Sequence, residues 1–153
     1  MPDITHFLDI EEAPARGVEL DPGIYVEPKD KLPDSEDDRQ AEWVRLMRRH
    51  APQCLVFAVP NAAKRTRWAA AKVKREGLFT GFPDTGILWA DGHAYAEWKN
   101  GREGPKPAQI ETLNWMHSRG IPVAIVRTPE GCLAWLRSIG APVPHLVSKS
   151  REG

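Results

Sequence analysis

The stretch "GFPDTGILWADGHAYAEWKN", residues 81–100, sets a Pro-Asp pair ahead of a Glu-x-Lys triplet. Between them lie two apolar runs, "TGILWA" and "HAYAEWK", joined at the Asp-Gly dipeptide 91–92, a strong signal for a β-hairpin. Side chains alternate across a strand, so Glu97 and Lys99 take one side and Trp98 the other. Asp84, near the start of the partner strand, reaches the face of Glu97. Two carboxylates on one face repel unless a cation lies between them. Oxygen donors without a His/Cys cluster suit a hard ion, Mg²⁺ or Mn²⁺, with the Trp98 backbone carbonyl as a further donor. Lys99 would then orient or help deprotonate an attacking water. The competing reading is a plain ion pair on a half-exposed sheet, worth under about 1 kcal/mol.

Working outward from the hairpin, "KPAQIETLNWMHSRG" (106–120) reads as a helix with proline near its start and glycine past its end. "IPVAIVRT" (121–128) is a nearly all-apolar strand, and "PEGCLAWLRSIG" (129–140) a last helix. Upstream, "CLVFAV" (54–59) is a strand bounded by Pro52 and Pro60, and "TRWAAAKVKREG" (66–77) a basic helix stopped by Gly77. "SEDDRQAEWVRLMRRH" (35–50) opens with an N-cap serine and first-turn acids and closes on cations, a charge order that suits the helix dipole. Trp43, Leu46 and Met47 supply its buried face. A hairpin, a crossover helix and a further strand imply a mixed sheet, the last strand parallel to "HAYAEWK". The expected class is α/β, a small mixed β-sheet flanked by helices.

Bulk properties narrow the field. The chain has 153 residues, 41% apolar and 27% charged, which fits one globular domain. No apolar run approaches the roughly 20 residues that span a bilayer, and "MPDITHFLDIEE" lacks a signal peptide's basic and apolar regions, so no membrane partner and a cytoplasmic location are expected. Cys54 and Cys132 sit apart in apolar stretches, as free thiols would, and their spacing excludes a zinc site. The formal net charge of zero hides a split: residues 1–42 hold 13 acids and 4 bases, residues 43–153 hold 8 and 17. The basic body suits phosphates. Residues 1–34, with five prolines, read as an acidic arm, extended or disordered, with at most a short strand at "GIYVE". Such an arm is expected to be dispensable for folding, to shield the body from DNA, and to offer a peptide, "FLDIEEAP", to a protein partner. The folded body is expected over 35–140, followed by a fraying tail over 141–153.

From about Glu36 to Leu136 the chain resembles the VRR-NUC domain of the PD-(D/E)xK nuclease superfamily. The resemblance rests on Pro-Asn followed by basic residues ("VPNAAKR"), Gly-x-Pro-Asp ("GFPD"), Glu-x-Lys ("EWK"), a glutamine in the next helix ("KPAQ") and a glycine before a final apolar strand, in that order. It implies a restriction-endonuclease-like core and a Mg²⁺- or Mn²⁺-dependent endonuclease acting on branched DNA such as Holliday junctions, with a homodimer supplying paired cuts. It also implies roles: Asp84, Glu97 and Lys99 as the metal-and-water triad, Gln109 beside it, and a first-helix glutamate. Glu36, which shares a helix face with Gln40, is favoured for that last role over Glu42. Asn61, Lys64 and Arg65, with Arg67, Lys72, Lys74 and Arg75 of the second helix, are the implied DNA-phosphate contacts.

The sequence departs from the family in two places: Asn-Ala-Ala stands where Asn-Gly-Gly is usual, and Trp98 stands where an aliphatic residue is usual. Trp43, Trp89, Trp115 and Trp135 read as core or interface residues, whereas Trp68, among cations, is a candidate for stacking on an unpaired base. His93 and His117 have no partner pattern. Flap or nick cleavage, less selective cutting, and a DNA-binding module that has lost catalysis are the alternatives.

Overall fold

The structure, a computed structural model, describes residues 17–60 and 66–146. Helix α1 (Glu36–His50) begins where the Ser35 hydroxyl accepts a hydrogen bond from the Asp38 amide at 3.1 Å. Strand β2 (Leu55–Ala58) follows, then α2 (Arg67–Arg75), capped by Thr66 on the Ala69 amide at 3.2 Å. Strands β3 (Thr85–Trp89) and β4 (Gly92–Trp98) form the hairpin, in register from Trp89 opposite Gly92 to Thr85 opposite Ala96. Helix α3 (Pro107–Ser118), strand β5 (Val123–Val126) and helix α4 (Pro129–Ser138) complete the body.

The five-stranded sheet runs in the order β1-β5-β4-β3-β2, where β1 is Tyr25–Val26. β5 lies parallel to β4 by the α3 crossover, β2 and β3 are antiparallel, and β1 is parallel to β5. The architecture is mixed α/β, as the sequence pattern indicated. On one face α1 and α4 bury Trp43, Met47, Cys132 and Leu136 against Ile87, Trp98 and Val126. On the other, Leu113 and Met116 of α3 pack on Ile24, Val123 and Ile125. Trp98 is fully buried on the α1 side, its ring 5.6 Å from that of Trp43, and its Nε1 donates to Thr85 Oγ1 at 3.2 Å. Trp135 is likewise buried, Trp89 half-buried against the same core, and Trp115 half-buried beneath the Arg119 guanidinium at 4.1 Å. Cys54 and Cys132 are free thiols.

The arm is where the structure departs most from the sequence reading. Residues 1–16, including "FLDIEEAP", lie outside the described residues. Residues 17–34 belong to the folded body. The short strand at "GIYVE" does form, as β1, and Glu27 extends its pairing by donating its amide to the Ile125 carbonyl at 2.9 Å. The Glu27 carboxylate then accepts from the amides of Arg127 (2.6 Å) and Thr128 (3.0 Å) and from the Thr128 hydroxyl. It fills the space where a side chain on Gly131 would go.

Asp30 takes both terminal nitrogens of Arg39, at 2.8 and 2.9 Å, and the Arg39 guanidinium also reaches the carbonyls of Leu32, Asp34 and Arg127. Asp30 of the arm is therefore spent on a buried cation, Arg39 being 3% exposed, while the equally buried Arg127 guanidinium is held by the carbonyls of Glu27, Asn100 and Glu103. The tail is docked in part as well: Ala141 and Val143 are buried in the α1/α4 core, while residues 147–153 lie outside the described residues.

Deleting residues 1–34 is thus expected to destabilise the fold, contrary to the dispensable arm. It strands the buried Arg39 guanidinium by removing Asp30, at a cost of about 3–5 kcal/mol for a broken buried pair, and takes one carbonyl partner from Arg127. A urea titration checks this, and an unchanged midpoint would contradict it.

Candidate active site

The site forms where β3 and β4 run out of pairing. Gly81 turns the chain at φ +87°, and a Cβ there would stand 2.8 Å from the Ala108 carbonyl, so the turn packs directly on the start of α3. Asp84 follows, one residue before β3. Its Oδ2 accepts from the Trp98 amide at 2.9 Å, just beyond the last hairpin rung. The N–H and C=O of one strand residue leave by the same edge, so the Trp98 carbonyl also faces the Asp84 side. The Lys99 amide instead bonds Val126 on the β5 edge, at 3.0 Å.

Glu97 and Lys99 project to the α3 side and are nearly closed off, 1% and 4% exposed. Lys99 Nζ lies 3.6 Å from Glu97 Oε1. Gln109 Nε2 donates to the same oxygen at 2.7 Å, while Gln109 Oε1 accepts from the Lys106 amide at 2.8 Å. The second bond fixes the orientation of the amide. Its carbonyl is committed to the start of α3, so its NH₂ must face Glu97, which must offer an acceptor.

Glu36, in the first turn of α1, closes the cluster: oxygens of Glu36, Asp84 and Glu97 all lie within 4.8 Å of one another. Burial pushes the Glu97 carboxyl well above its ordinary pKa, and the Asp84 charge adds to this while Lys99 opposes it. Burial likewise raises Asp84 and Glu36, again against the pull of Lys99. Glu97 Oε2 is buried and meets no donor. The Asp84 carboxylate beside it can only accept, so it leaves that oxygen unmet. One buried and two half-buried carboxylates, one ammonium and an orphaned oxygen make a donor set that a hard divalent cation fits, with Asp84, Glu97, Glu36 and the Trp98 carbonyl as oxygen donors.

A cavity of about 310 Å³ opens beside Asp84 and Gln109, with Lys74 of α2 and Lys106 at its walls. Lys106 escaped the sequence reading, since a lysine ahead of a helix-starting proline carries no local signal of its own. Arg67, Lys72, Lys74 and Arg75 are exposed on α2, whereas Asn61, Lys64 and Arg65 lie outside the described residues. Glu42 is absent from the cluster: it pairs with Arg45 at 2.7 Å on the outer face of α1. His93 contacts Tyr95, and His117 lies 3.6 Å from Asp21, both away from the site.

Among the described residues no helix is long and apolar enough to cross a membrane. No family model, curated protein or solved structure matches the chain.

The raised carboxyls set a pH dependence. Each binds its proton more tightly folded than unfolded, so its stabilising contribution is complete below the ordinary carboxylate pKa, about 4.3, and is lost as pH rises through the higher folded values. In EDTA the melting temperature should fall over that range, and Glu97→Gln should flatten the fall, because an amide at that position has no proton to lose. Parallel curves for the two proteins would contradict the assignment.

Proposed function

We propose that this chain is a metal-dependent endonuclease of the PD-(D/E)xK type, similar to VRR-NUC domains, that hydrolyses phosphodiester bonds in branched DNA such as Holliday junctions. The observation that carries the proposal is the convergence of Glu36, Asp84, Glu97 and Lys99, from three separate segments, at one buried end of β4. The order of sequence motifs and the cationic walls of the adjoining cavity support it.

A bound Mg²⁺ or Mn²⁺ would neutralise charge on the reacting phosphate and lower the pKa of water. The chain's own groups do the rest. Asp84, anchored by the Trp98 amide, and Glu97, anchored by Gln109, present fixed oxygens to the ion, so little reorganisation is needed. Lys99 stands beside them to orient the attacking water and to offset the negative charge that grows as the leaving oxygen departs. Lys74 and Lys106 hold a neighbouring phosphate at the cavity wall, and the exposed cations of α2 extend that contact along the backbone without reading sequence. A four-way junction is close to two-fold symmetric, so paired cuts call for two such sites, as a homodimer would supply.

The test is cleavage of an end-labelled four-way junction, flap, splayed arm and plain duplex in Mg²⁺, Mn²⁺ or EDTA. Metal-dependent cutting of the junction is expected, with Lys99→Ala and Asp84→Asn each lowering the rate about 100-fold or more. Stronger cutting of the flap would shift the substrate assignment. Binding without cutting in either metal would overturn catalysis in favour of a DNA-binding module.

A further inference from the structure

Trp68 is 76% exposed, the most exposed large apolar side chain among the described residues. Tryptophan is seldom left in water to this extent. Its surroundings are cationic: α2, "RWAAAKVKR", contains four basic residues and no acid. At about 100° per residue the exposed side chains run round the helix in the order Lys74, Arg67, Ala71, Arg75, Trp68, Lys72, an arc of roughly 160°. The half-buried Ala69 and Val73 lie opposite. The indole therefore stands between two cations, and Lys72 Nζ is 5.9 Å from its ring centroid, with Glu76 3.8 Å from the same ammonium. At the other end of the arc, Lys74 lines the cavity beside Asp84. Trp68 and Lys74 are six residues apart, roughly 9 Å along the helix axis and about 120° around it.

We infer that Trp68 is a stacking platform for an unpaired base of a DNA branch, held in place by the phosphate contacts of Lys72 and Arg75, on the same helix whose Lys74 reaches the cavity. An aromatic face flanked by cations suits a single-stranded nucleotide, because every base has a face to stack and every phosphate a charge to neutralise. A continuous duplex offers no such base, so the platform favours branches that carry unpaired or splayed bases over plain duplex. The inference rests on the DNA reading of α2 given above and does not require that the site cut.

Fluorescence anisotropy in EDTA separates the two. Labelled duplex and the same duplex carrying a single-nucleotide bulge or a splayed end are titrated with the full chain, Trp68→Ala, Trp68→Phe and Lys72→Ala. Trp68→Ala should weaken binding to the bulged and splayed substrates about 5- to 100-fold and leave the plain duplex unchanged, while Trp68→Phe keeps most of the preference. Lys72→Ala should weaken all substrates alike and reduce the salt dependence by about one phosphate contact. Equal loss on every substrate, or no loss on any, would overturn the inference. Failure of the chain to cleave DNA would leave this measurement untouched.

Discussion

The two-residue alternation of β4 across Ala96, Glu97, Trp98 and Lys99 is the constraint on which the rest depends. It sends Trp98 into the α1/α4 core against Trp43 while Glu97 and Lys99 emerge on the α3 side. A slip of one residue would bury the charges in the apolar α1/α4 layer and put the indole in the site beneath α3, so burial of Trp98 and geometry of the site are one decision. Two bonds pin the register from the β3 side: Trp98 Nε1 to Thr85 Oγ1, and the Trp98 amide to Asp84. The second also sets the distance between the two carboxylates. Trp98 in place of a smaller residue is thus a packing variation whose side chain never meets the site. Truncating it would cost about 3–5 kcal/mol of core and disturb Asp84 and Glu97 indirectly.

The carboxylate cluster opposes the stability that the core provides. Like charges, one buried and two half-buried, with a single nearby ammonium raise the energy of the ionised state, which the fold tolerates because Gln109 and the Trp98 amide satisfy one oxygen each. The segment over 27–34 supplies the rigidity that such a cluster needs. Arg127 donates to the carbonyls of Asn100 and Glu103, directly after Lys99. Arg39 holds Asp30 and the carbonyls of Leu32 and Asp34, directly before Glu36. The Arg39 guanidinium also bonds the Arg127 carbonyl, so one buried network fixes the chain on both flanks of the site.

Much of this was legible in the sequence because its signals are local. The N-cap Ser35, proline at the head of two helices and the period-two pattern of β4 each act within a few residues, and each appears in the fold. The hairpin forms too, but it turns at Ala90 and Asp91, one residue before the expected Asp-Gly pair, with Gly92 opening β4 opposite Trp89. The site's core was legible for the same reason: Glu97 and Lys99 share a strand, and Asp84 is one hairpin away. The docked segment was not. Glu27 finds Arg127 and Thr128 at separations of 100 and 101 residues, a pairing no local pattern encodes, and prolines that suggest disorder also suit an extended strap. Glu36 was favoured over Glu42 by its spacing to Gln40, and the fold brings Glu36 to Asp84 and Glu97 while Glu42 pairs with Arg45. Lys106 was hidden because a cavity wall is a property of the fold and not of a motif.

The central claim is that Glu36, Asp84 and Glu97 hold a divalent cation. Isothermal titration calorimetry with Mn²⁺, repeated in buffers of different ionisation enthalpy, tests it most directly. The account predicts one ion per chain, released protons as the raised carboxyls ionise on binding, and loss of the signal in Glu97→Gln with the fold intact by circular dichroism. Absence of binding in the unaltered protein, or binding that survives in Glu97→Gln with no proton release, would contradict it.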